Sequence, residues 1–191
     1  MGIWIYLLLF VLFILLLAVI VVSLLGIYWF VSSLGDRYAP PICCCGKLKE
    51  GLLADISQYL EKAEPGRTLI DLGSGWGTLL LPLAKKFPEH KFVGVERAFT
   101  PYHVSCLRGR KLKNLSFIKG DLFEYDLGKV DVAISFLIGF IMPALTKKFK
   151  KELPKGAIVY SPRFPLTEIK PDRVVDLGNK METFYIYKMK K

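Results

Sequence analysis

The chain has 191 residues, 52% of them hydrophobic, and its 27 Lys and Arg against 17 Asp and Glu give a formal charge of +10. Three of its four cysteines are adjacent, Cys43, Cys44 and Cys45, which excludes a disulfide framework and fits a reducing compartment. The averages conceal a segregation: residues 1–35 carry no charged side chain, so one stretch suits hydrocarbon and the remainder suits water.

Residues 3–31, IWIYLLLFVLFILLLAVIVVSLLGIYWFV, form the first predicted element. A bilayer-crossing helix needs about 20 apolar residues, so this one spans with room for tilt. Trp4 and Tyr6 at one end, and Tyr28 and Trp29 at the other, suit the two interfacial belts. A cleaved signal peptide would bring a basic n-region, a shorter apolar core and a small-residue cleavage site, so a retained anchor over 1–35 is expected. Basic residues follow the span at Arg37, Lys47 and Lys49 and none precedes it. The positive-inside rule then puts the N-terminus outside and the rest in the cytoplasm, or on the matrix side of an organelle. Beside a membrane, basic runs such as KKFKKE from Lys147 favour anionic headgroups, at about 1 kcal/mol per residue close to the surface. With no aromatic-and-basic motif, nucleic acid is not an expected partner.

Residues 36–46 read as a linker punctuated by Pro40, Pro41 and Gly46, its cysteines either free or, in a host with that chemistry, palmitoylated. Residues 47–191 make one domain of ordinary size. Leu48, Leu52, Ile56, Tyr59 and Leu60 recur at helical spacing until Pro65-Gly66 stops them. Strands are predicted at 68–72, 91–96, 116–119, 130–136, 157–161, 173–177 and 182–188, and helices at 76–87, 100–113 and 141–152. Strands alternating with helices mean a parallel sheet covered on both faces. The last two strands are separated by little more than GNK, a hairpin that puts one antiparallel strand at the end of the sheet. The expected fold class is α/β: a Rossmann-like, doubly wound, mostly parallel seven-stranded sheet with a C-terminal antiparallel hairpin, behind one transmembrane helix.

The segment RTLIDLGSGWGTLLLPLAKKF, from Arg67, runs a strand into Gly73, Gly75 and Gly77. In an open α/β sheet ligands bind beyond the C-terminal strand ends where strand order reverses, and glycines let backbone and ligand approach. A dinucleotide fingerprint G-x-G-x-x-G fails here, because its sixth position is Thr78, and no G-K-[ST] follows to make a P-loop. Asp71 lies inside the end of the first strand, where it repels phosphate and welcomes an ammonium or sulfonium. The loop therefore suits S-adenosylmethionine. Glu96 ends the second strand as an acceptor-only group for both ribose hydroxyls. Asp121 ends the third, placed to accept from the adenine amino group, with Leu122 and Phe123 flanking the ring.

These residues resemble the class I, seven-strand S-adenosylmethionine-dependent methyltransferases over essentially the whole soluble part. The resemblance implies that Asp71, Gly73, Gly75, Glu96 and Asp121 hold the cofactor, with Ser74, Trp76, Gly77, Arg97 and Leu122 completing the candidate site. Trp76 departs from the commoner small or acidic residue, and either walls the methionine end or packs on the next helix. Methyl transfer is an in-line displacement that needs approach geometry and exclusion of water, so a missing base does not disqualify a site. After the fourth strand, DVAISFLIGFIMPAL lacks the D/N-P-P-[YF] signature and offers no carboxylate pair for a metal. No metal is expected, and His90 and His103 are poor catalytic candidates.

Phe136-Leu137, Pro143, ELPKGA, Ser161 and RFPL from Arg163 resemble a narrower branch, the membrane-anchored lysine methyltransferases that modify the adenine nucleotide translocase and the ATP synthase c-subunit. The chain departs from that branch at Trp76 and at Gly139-Phe140. The resemblance implies a membrane-protein substrate and an acceptor channel lined by Phe136, Ser161 and Phe164. Arg163 either orients an acidic substrate segment or pairs locally. Methylation of a lipid or lipophilic small molecule is the competing enzymatic reading, and a non-catalytic cofactor-binding membrane scaffold the other.

Overall fold

The computed structural model describes residues 2–35 and 46–190, with side chains through Tyr28 and again from Gly46. The expected linker, with Arg37, Pro40, Pro41, Cys43, Cys44 and Cys45, and the side chain of Trp29 lie outside the described residues. By contacts the chain divides into two compact units, Met1–Pro40 and Pro41–Lys191.

The first unit holds α1 (Gly2–Gly35). Within Gly2–Tyr28 its most apolar 18-residue stretch has a mean hydropathy of 3.5, and none of that stretch is buried. At 1.5 Å per residue Gly2–Tyr28 is about 40 Å long, enough to cross a bilayer by length and composition.

The second unit begins with α2 (Gly46–Glu61), whose Leu48, Leu52, Ile56 and Leu60 fall four residues apart on one buried face. There follow β1 (Thr68–Leu72), α3 (Leu80–Lys86), β2 (Lys91–Glu96), α4 (Phe99–Gly109), β3 (Leu115–Lys119), β4 (Val132–Ile134), α5 (Met142–Glu152), β5 (Ile158–Pro162), β6 (Arg173–Asp176) and β7 (Thr183–Lys188). Single 3₁₀ turns at Gly139–Ile141 and Lys180–Glu182 precede α5 and β7. The strands form one sheet in the order β3-β2-β1-β4-β5-β7-β6. Pairing is parallel from β3 through β5 and antiparallel where β7 joins β5 and β6.

Side chains alternate across the sheet into two apolar layers. Leu69, Phe92, Ile134 and Phe184 pack with α2 and with Leu80 and Leu83 of α3. Ile70, Leu72, Val159 and Tyr187 pack with Met142, Leu145 and Phe149 of α5. Asp131 locks the entry to the sheet: its carboxylate accepts from Arg67 Nη1 at 2.7 Å and from the Thr68 N–H at 2.8 Å.

Besides α4, which ends at Gly109 rather than residue 113, three sequence expectations change. The antiparallel strand does not end the sheet; β7 lies inside, between β5 and β6, because TFYIYK is buried on both faces whereas the exposed RVVD of β6 tolerates an edge. The helix after β1 starts at Leu80 rather than residue 76, since the chain is still turning through Gly77 at φ +72°. β4 stops at Ile134 instead of 136: the Ser135 N–H still donates to the Tyr160 carbonyl, but Phe136 and Leu137 leave the ladder. That last departure shapes the site.

Candidate active site

Strand order reverses between β2-β1 and β4-β5, so the crevice opens beyond the tips of β1 and β4. The β1 loop is built from backbone. The N–H groups of Gly73 and Ser74 donate to the Val95 carbonyl at 2.8 and 3.0 Å, and Gly73, Gly75 and Gly77 adopt φ of +81°, +52° and +72°. The glycines differ in purpose. A Cβ on Gly77 would stand 2.7 Å from Phe117 Cζ, whereas one on Gly75 meets nothing within 4 Å. Gly77 packs the loop against β3, and Gly75 keeps its open side clear.

Two carboxylates face this loop. Asp71, in register between Gly94 of β2 and Ile134 of β4, is 3% exposed, and no described hydrogen bond reaches its side chain. Burial first, and the charge of Glu96 second, push its pKa up to about 7. Glu96 is already engaged: one oxygen accepts from the Gly75 N–H at 2.7 Å and the other from the Ala98 N–H at 2.7 Å. Each oxygen keeps a further lone pair. Glu96 therefore fastens the glycine loop to β2, which sequence reasoning missed, although a carboxylate one strand away from glycines was the available signal. Asp121 accepts from the Phe123 N–H at 2.9 Å, an Asx turn that leaves its second oxygen available; Leu122 beside it is half-buried. The buried Ser74 hydroxyl, with no hydrogen-bond partner, would lie 2.7 Å from a Cβ on Gly94. Trp76 is half-buried and its carbonyl accepts from Arg108 Nη1 at 2.7 Å, so its backbone joins the loop to α4; Arg97 is exposed at the β2 tip.

The wall opposite comes from the segment that left β4. A Cβ on Gly73 would meet Leu137 Cδ2 at 2.9 Å, so Leu137 closes directly on the glycine loop. One residue earlier, Phe136 carries the Arg163 guanidinium over its ring, 5.1 Å from the centroid. Phe164 lies against Gly139, 3.2 Å from where a Cβ would stand. Ser161 is fully buried and donates to the Phe164 carbonyl at 2.6 Å, so it pins this turn rather than lining open space. The two histidines are engaged elsewhere. His90 is buried with Nε2 3.4 Å from the Leu60 carbonyl, and exposed His103 stacks on Phe99. Among the described residues no cluster of His, Cys, Asp or Glu is arranged for a metal.

The crevice thus offers a cleared backbone surface, an unpartnered buried carboxylate, a preset acceptor-only carboxylate and an apolar wall. That set fits a nucleoside whose tail carries positive charge, and it disfavours a diphosphate.

Residues 71–173, more than half of the chain, match the ANTKMT methyltransferase domain. The chain belongs to this methyltransferase family. It is 31% identical to a protein-lysine N-methyltransferase of Saccharolobus islandicus over 137 residues, covering 67% of this chain and 83% of that protein. It is 32% identical to the ATP synthase c-subunit lysine N-methyltransferase of Mus musculus over 63% of its own length, and spans 49% of that enzyme. Among solved structures it resembles an RNA methyltransferase from Salinibacter ruber in complex with S-adenosyl-L-homocysteine, with a TM-score of 0.63, 26% identity and coverage of 72% of this chain and 92% of that one. The fold is that of the S-adenosylmethionine-dependent methyltransferases, and S-adenosylmethionine is the cofactor of this family member.

Proposed function

We propose that this methyltransferase is a protein-lysine N-methyltransferase carried on a membrane by α1, and that its acceptor is a protein of the same membrane. The observation that carries the reading is the apolar wall. Leu137 closes directly on the glycine loop, Phe136 precedes it in the chain, Phe164 lies against Gly139, and no ionisable side chain occurs from Val132 to Leu145. Likeness to two lysine methyltransferases supports the acceptor class.

In this reading Gly73, Gly75 and Gly77 bed the cofactor, Asp71 faces its cationic methionine end and Glu96 accepts from the ribose hydroxyls through its free lone pairs. Asp121 and Leu122 hold the adenine, while Ser74, Trp76 and Arg97 complete the rim. When bound, the cofactor supplies an activated methyl group. Phe136 and Phe164 flank the incoming side chain, strip water from it and favour its neutral amine, since burial disfavours the charged form. Ser161 holds the turn that positions Phe164.

The basic residues that follow α1 in the sequence favour a catalytic domain on the cytoplasmic or matrix side. Tethering to that bilayer raises the local concentration of acceptors within it, with no added contact needed. A lipid acceptor would exploit the same anchor and wall.

The test is incubation of membranes containing the full chain with methyl-labelled cofactor. Label on a protein band, recovered as methyllysine after hydrolysis, is expected; label extracted into organic solvent would replace the reading with lipid methylation. Glu96→Gln serves as control. An amide can keep only one of the two backbone donors, and losing a hydrogen bond to a charged group lowers cofactor affinity by about ten- to a hundredfold.

A further inference from the structure

The wall around the acceptor position has no charge of its own, but a charge is brought to it. Arg163 leaves β5 at φ +67°, a left-handed conformation that disfavours a residue with a side chain by about 1–2 kcal/mol. Surrounding bonds enforce it. The Arg163 N–H donates to the Thr183 carbonyl at 2.7 Å, Nε donates to the Met181 carbonyl at 3.3 Å, and Ser161 ties down the following turn at Phe164. The outcome is a guanidinium fixed on the face of Phe136, one residue from the Leu137 side chain that closes on Gly73. Strain of this kind marks places where geometry serves function.

We propose that Arg163 is an electrostatic filter for the acceptor: its guanidinium repels an ammonium from the Phe136 face and admits the acceptor nitrogen only as a neutral amine. The inference rests on the amine-acceptor reading above. A guanidinium offers donors and no acceptor, so it cannot take the proton itself. It acts because a like charge in a partly dehydrated site disfavours the charged form of its neighbour. The acceptor's proton goes to bulk water before entry. The amine lone pair then forms the new C–N bond while the methyl carbon's bond to sulfur breaks, its electron pair remaining on sulfur. Positive charge moves to the methylated nitrogen, which the same guanidinium repels as product leaves and releases a proton to water.

Among the described residues no carboxylate is ion-paired with this guanidinium. In the hairpin, Asp176 accepts from the Gly178 N–H at 2.9 Å, Glu182 from Asn179 Nδ2 at 3.0 Å, and Lys180 adds a like charge. The Phe136–Phe140 segment contributes none, and the carboxylates of the cofactor crevice are Asp71, Glu96 and Asp121.

Sinefungin, which carries an amine where the cofactor carries its transferable methyl, probes this position without an acceptor. Its affinity for the full chain is compared by calorimetry with that of S-adenosylhomocysteine, which shares its other parts, between pH 6 and about 9. In the wild type the ratio of sinefungin to S-adenosylhomocysteine affinity should be low at neutral pH and climb as the amine deprotonates. Arg163→Gln should raise the ratio at neutral pH by roughly tenfold, the equivalent of one pKa unit, and flatten the climb. Arg163→Lys, retaining charge, should behave as wild type. If Arg163→Gln does not fold, Arg163→Met, whose stem still covers Phe136, carries the same expectation. A ratio unmoved by loss of the charge, with S-adenosylhomocysteine still bound, overturns the filter and leaves the methyltransfer reading intact. Failure of the wild type to bind S-adenosylhomocysteine overturns both.

Discussion

Asp71 and the glycines beside it put opposing demands on one loop. Folding raises the Asp71 pKa from 3.8 to about 7, so the group's favourable contribution is complete below pH 4 and is lost as pH climbs to about 7. Relative to Asp71→Asn, the apoprotein should lose stability across that window, by at most about 4 kcal/mol, and denaturant midpoints of the pair measured from pH 4 to 8 check it. Ligand binding runs the other way. A cationic tail needs the carboxylate ionised, so cofactor affinity should rise with pH up to about 7 and then level off, with proton release on binding at pH 6 that Asp71→Asn abolishes. The glycines separate folding from binding. Gly77→Ala combines φ +72° with a methyl 2.7 Å from Phe117 and should cost about 2–4 kcal/mol of stability. Gly75→Ala meets no atom and should cost only about 1–2 kcal/mol for its φ, while weakening S-adenosylhomocysteine binding at least roughly tenfold by filling the open side of the loop. The G-S-G-W-G spacing showed where this loop lies, but it did not show which glycine packs and which yields space, because that depends on Phe117, two strands further along the chain.

The elements hold through polar ties that no local pattern announces. α2 packs by its Leu and Ile stripe, legible as a helical period, and is also fastened by Asp55, which accepts from Arg173 Nη2 at 2.6 Å and from the Tyr160 hydroxyl at 3.0 Å. Burial, with Asp55 next, pushes the Tyr160 phenol above its usual range. Asp55→Ala should therefore loosen the β6 edge and lower stability by about 1–3 kcal/mol, discounted for the exposure of Arg173, without changing S-adenosylhomocysteine affinity. Urea unfolding alongside a binding isotherm reads both. Strand positions were legible from short apolar runs bounded by turns. Their ends were less so: β4 looked longer because Phe136 and Leu137 are as apolar as strand residues, yet Leu137 closes on Gly73 and Phe136 packs on the α2 and α3 layer.

Taken whole, the molecule joins a helix suited to hydrocarbon and a catalytic domain suited to water. Residues 41–191 form their own compact unit, so expressed alone they should fold and bind S-adenosylhomocysteine with the affinity of the full chain. On an acceptor in a bilayer the truncated form should be slower by roughly 10²-fold or more at equal concentration, because tethering no longer supplies effective concentration. Rates on proteoliposomes against rates on the same acceptor in detergent measure that difference. The apolar span, the parallel α/β order and the succession of acids at Asp71, Glu96 and Asp121 were determined by the sequence alone, since each is a matter of composition, period or spacing among near neighbours. Only the tertiary structure placed β7 inside the sheet, bound Glu96 to Gly75, shut Leu137 over Gly73 and laid Arg163 on Phe136. Those are meetings of residues distant along the chain, set by how strands are ordered and how their loops converge, and no local pattern carries that information.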